Sequence, residues 1–368
     1  MSTPTPSRSG ADRCPGLLTP FVSADGAMVR LRIPGGRVDA STLREISSLA
    51  QRFGNPAITL TSRGSLQLRG LPDPLPRELI TAIDDLGLVP SGPHDKARNI
   101  VADPHAGLDD LVTALDEGLL ADPGLAELPG RFLLAVAEPG GAVLGEPWDV
   151  AIVTSPLAEV RGTSLEATLL AADRAITVPR EAAAAAALDV ARRFLAARTD
   201  DRTWNIRDLP DATRTDLLPG GLPFDVLAGE PPAPGPVGED LVALVPLGLL
   251  TPAMVAGLEG KLCITPWRSV IVPGGAARAE VLAAAGFATT ADSPWTVLTA
   301  CAGAPSCART TTRTRDLARE AAPFVDVTGP AVHVIGCERS CGHPARTHAT
   351  ALNPISAADV VAAQHEKA

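Results

Sequence analysis

The sequence predicts an α+β protein made by internal duplication, two copies of one unit related by a pseudo-twofold axis. Three observations carry this. A βαββα order runs from residue 28 to 86 and returns from 241 to 285. The turn string Thr61-Ser62-Arg63-Gly64-Ser65-Leu66 is answered by Thr265-Pro266-Trp267-Arg268-Ser269-Val270. After each copy a further apolar stretch follows, Arg98-Asn99-Ile100-Val101-Ala102 in the first and Trp295-Thr296-Val297-Leu298-Thr299-Ala300 in the second.

In the first copy Met28 to Ile33 alternates as a strand does, and Pro34-Gly35-Gly36 breaks it. A helix follows, capped at Ser41 or Thr42, with Leu43, Ile46, Leu49, Ala50 and Phe53 on one face. Gly54-Asn55 closes it. Ala57–Leu60 and Leu66–Arg69 are strands around a turn, and a second helix runs from Pro76 to Leu86 before Gly87. In the second copy Leu241–Val245 is a strand, and Thr251-Pro252 caps a helix with proline at its first position. Leu262–Ile264 and Val270–Val272 are strands, and Ala277–Ala285 is a helix stopped by Gly286. Between the copies lie strands near Phe132–Val136 and Val150–Val153 and an alanine-rich helix over Arg180–Arg198. Pro223 to Gly238 holds five prolines and three glycines and reads as a linker.

The 368 residues, 45% hydrophobic and 20% charged, exclude a wholly disordered chain. No apolar run reaches the roughly 18 residues of a membrane span. Met1–Arg13 lacks an apolar signal segment, so the expected location is cytoplasmic. A net charge of −10 removes the basic footprint of a nucleic-acid binder. The basic residues are nonetheless lopsided: Lys96, Lys261 and Lys367 are the lysines, and the rest are arginine. A GC-rich genome explains such a bias. Its chemical consequence is a supply of planar guanidinium groups that bind carboxylates with paired hydrogen bonds.

Of six cysteines, Cys301, Cys307, Cys337 and Cys341 cluster near the C-terminus, in gaps of five and three residues. In a reduced compartment such clustering points to metal, not disulfides. Four thiolates suit tetrahedral zinc or a four-iron cluster. The five-residue gap, filled by Ala302-Gly303-Ala304-Pro305-Ser306, is wider than zinc pairs usually use and fits a bulky cubane better. Cys14 and Cys263 are isolated and read as core or incidental thiols.

The cysteine spacing resembles the cluster motif of the sulfite and nitrite reductase superfamily. Thr61 to Gly70 looks like its first signature, Arg98-Asn99-Ile100-Val101 like its second, and Leu128-Pro129-Gly130-Arg131-Phe132 like the basic segment that follows. Within it, Cys14-Pro15-Gly16-Leu17-Leu18, Pro246 to Thr251, Thr265-Pro266-Trp267-Arg268 and Cys341-Gly342-His343-Pro344 resemble the precorrin-3B synthase family of aerobic cobalamin synthesis.

The resemblance implies a duplicated sulfite/nitrite reductase-like architecture with ferredoxin-like half-domains. Its expected layout is a flexible lead over 1–22, a first half-domain over 23–90 and a first α/β domain over 91–225. A second half-domain then covers 226–290, and a cluster-bearing domain 291–368. It implies a monooxygenase that hydroxylates precorrin-3A with molecular oxygen and closes a lactone. Such an enzyme carries a 4Fe-4S cluster and a separate mononuclear non-haem iron whose ligands the sequence leaves open. With no complete G-x-G-x-x-G after a strand, electrons would come from an external donor, a reductase or a ferredoxin.

By the same resemblance Arg63, Arg98 and Arg131 face the tetrapyrrole, with Arg268 as a fourth candidate; Arg69 reads as a surface residue. The reductases place a second basic residue where this chain has Leu133, which counts against sulfite or nitrite reduction. A sirohaem-dependent reductase is the alternative, and a non-catalytic cluster protein a third reading. No two-histidine-plus-carboxylate spacing stands out among His94, His105, His333, His343, His348 and His365, and each alone reads as structural or surface.

Overall fold

The computed structural model describes residues 12–104, 107–154 and 166–366. These form two compact units, one from 12–18, 32–35 and 89–231, the other from 19–31, 36–88 and 232–366. His105 lies outside the described residues.

The first repeat builds β1 (Phe21–Ser23), β2 (Gly26–Leu31), β3 (Arg37–Asp39), α1 (Ala40–Phe53), β4 (Ile58–Leu60), β5 (Leu66–Leu71) and α2 (Arg77–Asp85). The apolar face of α1 expected from the sequence is the buried one: Leu43, Ile46 and Ala50 are sealed from solvent.

The intervening unit contains β6 (Ile100–Ala102), α3 (Asp109–Leu120), β7 (Leu134–Ala137), β8 (Val150–Thr154), β9 (Glu166–Ala171), β10 (Arg174–Pro179), α4 (Arg180–Ala197), α5 (Asp211–Asp216) and β11 (Leu222–Pro223). Its sheet runs β11-β10-β9-β8-β7-β6, with β6, β7 and β8 parallel. The alanine face of α4 packs with α3 over this sheet, around Phe132 and Phe194 at 4.9 Å between ring centroids. Residues 12–18 belong to this unit, not to a free lead. Leu17 is buried, and its N–H donates to Asp95, which also pairs with the fully buried Arg32.

The second repeat gives β12 (Gly235–Val237), β13 (Asp240–Leu244), β14 (Leu249–Leu250), α6 (Pro252–Ala256), β15 (Lys261–Ile264), β16 (Ser269–Val272) and α7 (Ala279–Ala284). It continues into β17 (Leu298–Ala300), α8 (Thr314–Ala321), β18 (Ala331–Ile335), β19 (His348–Leu352) and α9 (Ala357–His365). The stretch read as a linker ends in two short strands, β11 and β12, because its prolines sit at sheet edges where no ladder N–H is needed.

The duplication is visible in the sheet orders. One half-sheet is β1-β2-β5-β4-β14 and the other β12-β13-β16-β15-β3. Each repeat lends the strand before its first helix to the other's sheet. β3 pairs with β15 (Leu262 opposite Val38), and β14 pairs with β4 (Leu250 opposite Ile58). The turns leading into the lent strands match too: Pro34-Gly35-Gly36 and Pro246-Leu247-Gly248 both carry positive φ at their last two residues. A Cβ on Gly36 would lie 2.0 Å from the Ile264 carbonyl, so only glycine lets the strands approach.

The parallel layers repeat the same way. Asp103 N–H bonds the Val136 carbonyl at 3.1 Å, and Cys301 N–H bonds the Val334 carbonyl at 2.9 Å. Cys301 in the second layer thus stands where Asp103 stands in the first. There the carboxylate accepts backbone N–H groups from Glu138 and Val143, so it closes its own loop.

Asp149 is the most demanding polar group of the intervening unit. It is buried and accepts from the N–H groups of Leu133 (2.9 Å) and Ile206 (2.7 Å) and from the Asn205 amide (2.9 Å). Burial outweighs these donors and raises its pKa to about 6. A carboxyl raised in the folded state contributes stability below its unfolded pKa, and that contribution is lost as pH rises through the folded value. Urea unfolding should therefore show a loss of up to about 3 kcal/mol between pH 4 and 6.5 from this group. Asp149→Asn should flatten that slope and cost about 1–3 kcal/mol, because its amide turns a donor toward a backbone N–H. An unchanged pH profile in the variant would assign the slope elsewhere.

Candidate metal centre

The four clustered cysteines leave the ends of parallel strands. Cys301 follows β17 directly, and Cys337 and Cys341 lie on the turn after β18. The C-terminal ends of parallel strands are where an α/β layer presents loops for chemistry. Cys301, Cys307 and Cys337 are half-buried, and Cys341 reaches solvent. Partial burial raises the Cys341 thiol's pKa, and the neighbouring Cys301, Cys337 and Cys307 push the same way, with Arg339 opposing. The four thiols are thus within electrostatic reach of one another. Thiolates that disfavour each other's charge are stable together around a cationic centre. The other two cysteines take no part: Cys263 is in the core with Val242 and Ile271, and Cys14 sits against Gly130.

The loops are shaped by small residues. Gly303 has φ +58°, and a Cβ there would lie 2.3 Å from the Thr314 hydroxyl. A Cβ on Gly336 would lie 2.4 Å from Thr310. Thr314, fully buried at the start of α8, has its hydroxyl 2.9 Å from the Cys301 carbonyl and 3.6 Å from its sulfur. Beside it, burial and then the charge of Arg69 lower the Arg315 pKa to about 10. An anionic cluster is matched by this positive surround.

His333 is fully buried beneath the second loop. Burial, then the Arg268 charge, lower its pKa to about 3, so the ring is neutral. Its Nε2 donates to the Cys341 carbonyl (3.2 Å), and its Nδ1 accepts from the Thr299 hydroxyl (2.9 Å). His343 stacks on His348, which meets His333 edge-on. His94, in the other unit, bridges Ser91 and the Asp122 carbonyl as a structural residue. Among the described residues no three His, Cys, Asp or Glu side chains converge on a single-ion position. The four cysteines of the two loops are the donor residues that a sulfur-ligated iron cluster uses.

The candidate arginines are distributed differently from expectation. Arg63 is half-exposed in the β4–β5 turn, held by the Thr61 hydroxyl, which accepts from the N–H groups of Arg63 and Ser65. Its counterpart turn holds Arg268 at φ +60°, where the first repeat has Gly64 at φ +61°. The Arg268 guanidinium donates to the Gly342 carbonyl, so it is engaged with the second cysteine loop. Arg98 and Arg131 belong to the other unit. Arg98, expected to face a substrate carboxylate, is 6% exposed and closes a two-pronged pair on Asp116 at 2.8 and 2.7 Å. Arg131 is exposed and lies over the Trp204 ring at 5.1 Å. Arg69, expected at the surface, is 8% exposed and holds Asp25 and the Ser306 carbonyl. Thr314 and Arg315 escaped the sequence reading; the Thr310-Thr311-Thr312-Arg313-Thr314-Arg315 run was their signal.

Leu133 is fully buried, with its N–H on Asp149, and supplies no polar group at that position. No helix among the described residues is long and apolar enough to cross a membrane.

Comparison with known proteins gives the class first. Residues 22–76 match the nitrite/sulfite reductase ferredoxin-like half domain. The NirA protein of Mycobacterium tuberculosis superposes with a TM-score of 0.61 at 20% identity, covering 86% of this chain and 69% of that one. The chain has a sulfite/nitrite reductase-like fold with a ferredoxin-like half-domain. More particularly, it is 26% identical to a precorrin-3B synthase from Sinorhizobium sp, over 95% of this chain and 82% of that protein. Similarity to a ferredoxin–nitrite reductase of Synechococcus elongatus is local, 36% identity over 30% of this chain and 24% of that enzyme.

Each of Cys301→Ser, Cys307→Ser, Cys337→Ser and Cys341→Ser should lower the iron and acid-labile sulfide of anaerobically prepared protein, from about four of each per chain. Cys263→Ser should leave both unchanged. Stoichiometric zinc without iron would contradict the cluster.

Proposed function

We propose that the chain is a precorrin-3B synthase, an oxidoreductase of cobalamin biosynthesis that hydroxylates precorrin-3A and closes a lactone from a ring acetate. Similarity along nearly the whole chain to one such enzyme carries the reading. The Cys301, Cys307, Cys337 and Cys341 loops support a 4Fe-4S cluster, and the buried Leu133 weighs against reduction of a small oxyanion. One oxygen atom enters the product and the other leaves as water, with two electrons from an external reductase or ferredoxin. When bound, the cluster supplies single-electron transfer. The reduced state that four clustered thiols require is consistent with work in the cytoplasm. A mononuclear iron belongs to the proposal without a ligand set among the described residues.

The protein's own task is to hold a polycarboxylate in one orientation, so that positioning selects the ring carbon. Arg63, half-exposed in the β4–β5 turn, is the proposed carboxylate ligand. Arg98 is reassigned to its pair with Asp116 and Arg268 to the second cysteine loop.

Arg63→Ala should weaken binding of the tetrapyrrole by about 1.5–3 kcal/mol with little loss of stability, the scale of a charged hydrogen bond. Arg98→Ala should do the reverse, destabilising its unit by about 1–3 kcal/mol because Asp116 loses its partner. Equal effects on binding and unfolding in the two variants would reject the division. Turnover under labelled oxygen should place the label in the product hydroxyl. Product formed without oxygen, or sirohaem copurifying with nitrite or sulfite reduction, would establish the reductase instead.

A further inference from the structure

Both cysteine loops are anchored from outside their own α/β layer. Arg69, on β5 of the first half-sheet, donates to the Ser306 carbonyl at 2.9 Å, next to Cys307. Its guanidinium is fixed by Asp25, which accepts from Nε and Nη2 at 3.1 Å each, and Ser23 adds a second donor to the Ser306 carbonyl at 2.8 Å. Arg268, on the turn between β15 and β16 of the second half-sheet, donates to the Gly342 carbonyl, next to Cys341. Its backbone stands at φ +60°, a conformation in which a β-carbon is strained and glycine is not. The first repeat has glycine at the matching residue, Gly64. Here a side chain is kept where the backbone favours none.

We infer that Arg69 and Arg268 are positioning residues, one from each half-sheet, that set the two cysteine loops around a bound iron–sulfur centre. This rests on the cluster reading above and adds what holds the ligands in place. Retaining an arginine at a strained position fits a function for its guanidinium, since strain of this kind persists where the surroundings require it. The carbonyls they bind flank the second cysteine of each pair, so each guanidinium fixes one loop's course beside its ligand. The fold duplication supplies the frame, and each half contributes one anchor.

Arg268→Gly separates this role from general stability. It removes the donor and relieves the strained φ together, so the thermal midpoint should hold or rise. Iron release to a chelator should nevertheless accelerate about tenfold, the scale of losing an outer-shell partner. The electron-paramagnetic signal of the reduced cluster should change shape. Arg268→Lys, which restores a donor, should return release toward the wild-type rate. Arg69→Lys, which loses the fork that spans Asp25 and Ser306, should accelerate release with the first loop. Unchanged release and an unchanged signal in Arg268→Gly would overturn the inference, as would a fall in thermal midpoint that Arg268→Lys fails to correct. In the iron-free full chain, Arg268→Gly should also speed amide exchange across 337–343. That readout needs no metal, so a wild-type chain that never binds iron rejects the cluster while leaving the anchors testable.

Discussion

The reciprocal loan of strands between the two repeats is the constraint from which the rest of the cysteine-bearing unit is built. β3 completes the second half-sheet and β14 completes the first. Without the loan β4 and β15 would be the edges of their half-sheets, and the lent strands cover them. The loan works only if the chain can leave its own sheet in a tight turn. Gly36 provides that turn by passing within a distance of the Ile264 carbonyl that no β-carbon could occupy. A glycine at the matching place, Gly248, has φ +67°. The frame so fixed places β5 and the β15–β16 turn where Arg69 and Arg268 reach the two cysteine loops.

Two copies of one architecture have diverged in chemistry at matched positions. After the first parallel strand of each α/β layer comes Asp103 in one and Cys301 in the other, with the same backbone hydrogen bond to the neighbouring strand. The carboxylate is spent on two backbone N–H groups and ties down its own loop. The thiol is left to a loop of small residues, where Gly303 admits the Thr314 hydroxyl. One layer ends in a structural cap, the other in a group of thiols. The buried Leu133 and Asp149 belong to the same structural layer, the carboxylate being spent on the Leu133 N–H and the groups around it.

Much of this was legible in the sequence because the elements that carry it are long or chemically distinctive. The α1 helix followed from its apolar spacing. The paired Thr61 and Thr265 turns followed from their strings, and both close with the same bond, Thr61 N–H to Ser65 and Thr265 N–H to Ser269. The lent strands were not legible: β3 and β14 span three and two residues, too short for any alternation to register. The hairpin of β9 and β10 is alanine- and threonine-rich and turns at Ala172-Asp173, without the glycine that usually marks such a turn. Arg69 looked like a surface residue because nothing local in the sequence announces Asp25 or Ser306 as its partners. Arg98 looked like a binding residue because its motif is shared, whereas Asp116 lies a helix away on α3. Ion pairs that depend on tertiary approach leave no periodic trace.

We expect a single sulfur-ligated iron cluster in the cysteine loops of the second repeat. Zero-field Mössbauer spectroscopy of protein grown on enriched iron and purified without oxygen reads that environment directly. The main component should be tetrahedral, sulfur-coordinated iron of the cubane type. That component should disappear in Cys341→Ser and persist in Cys14→Ser. A spectrum dominated by haem iron, or the same cubane component in Cys341→Ser, would contradict it.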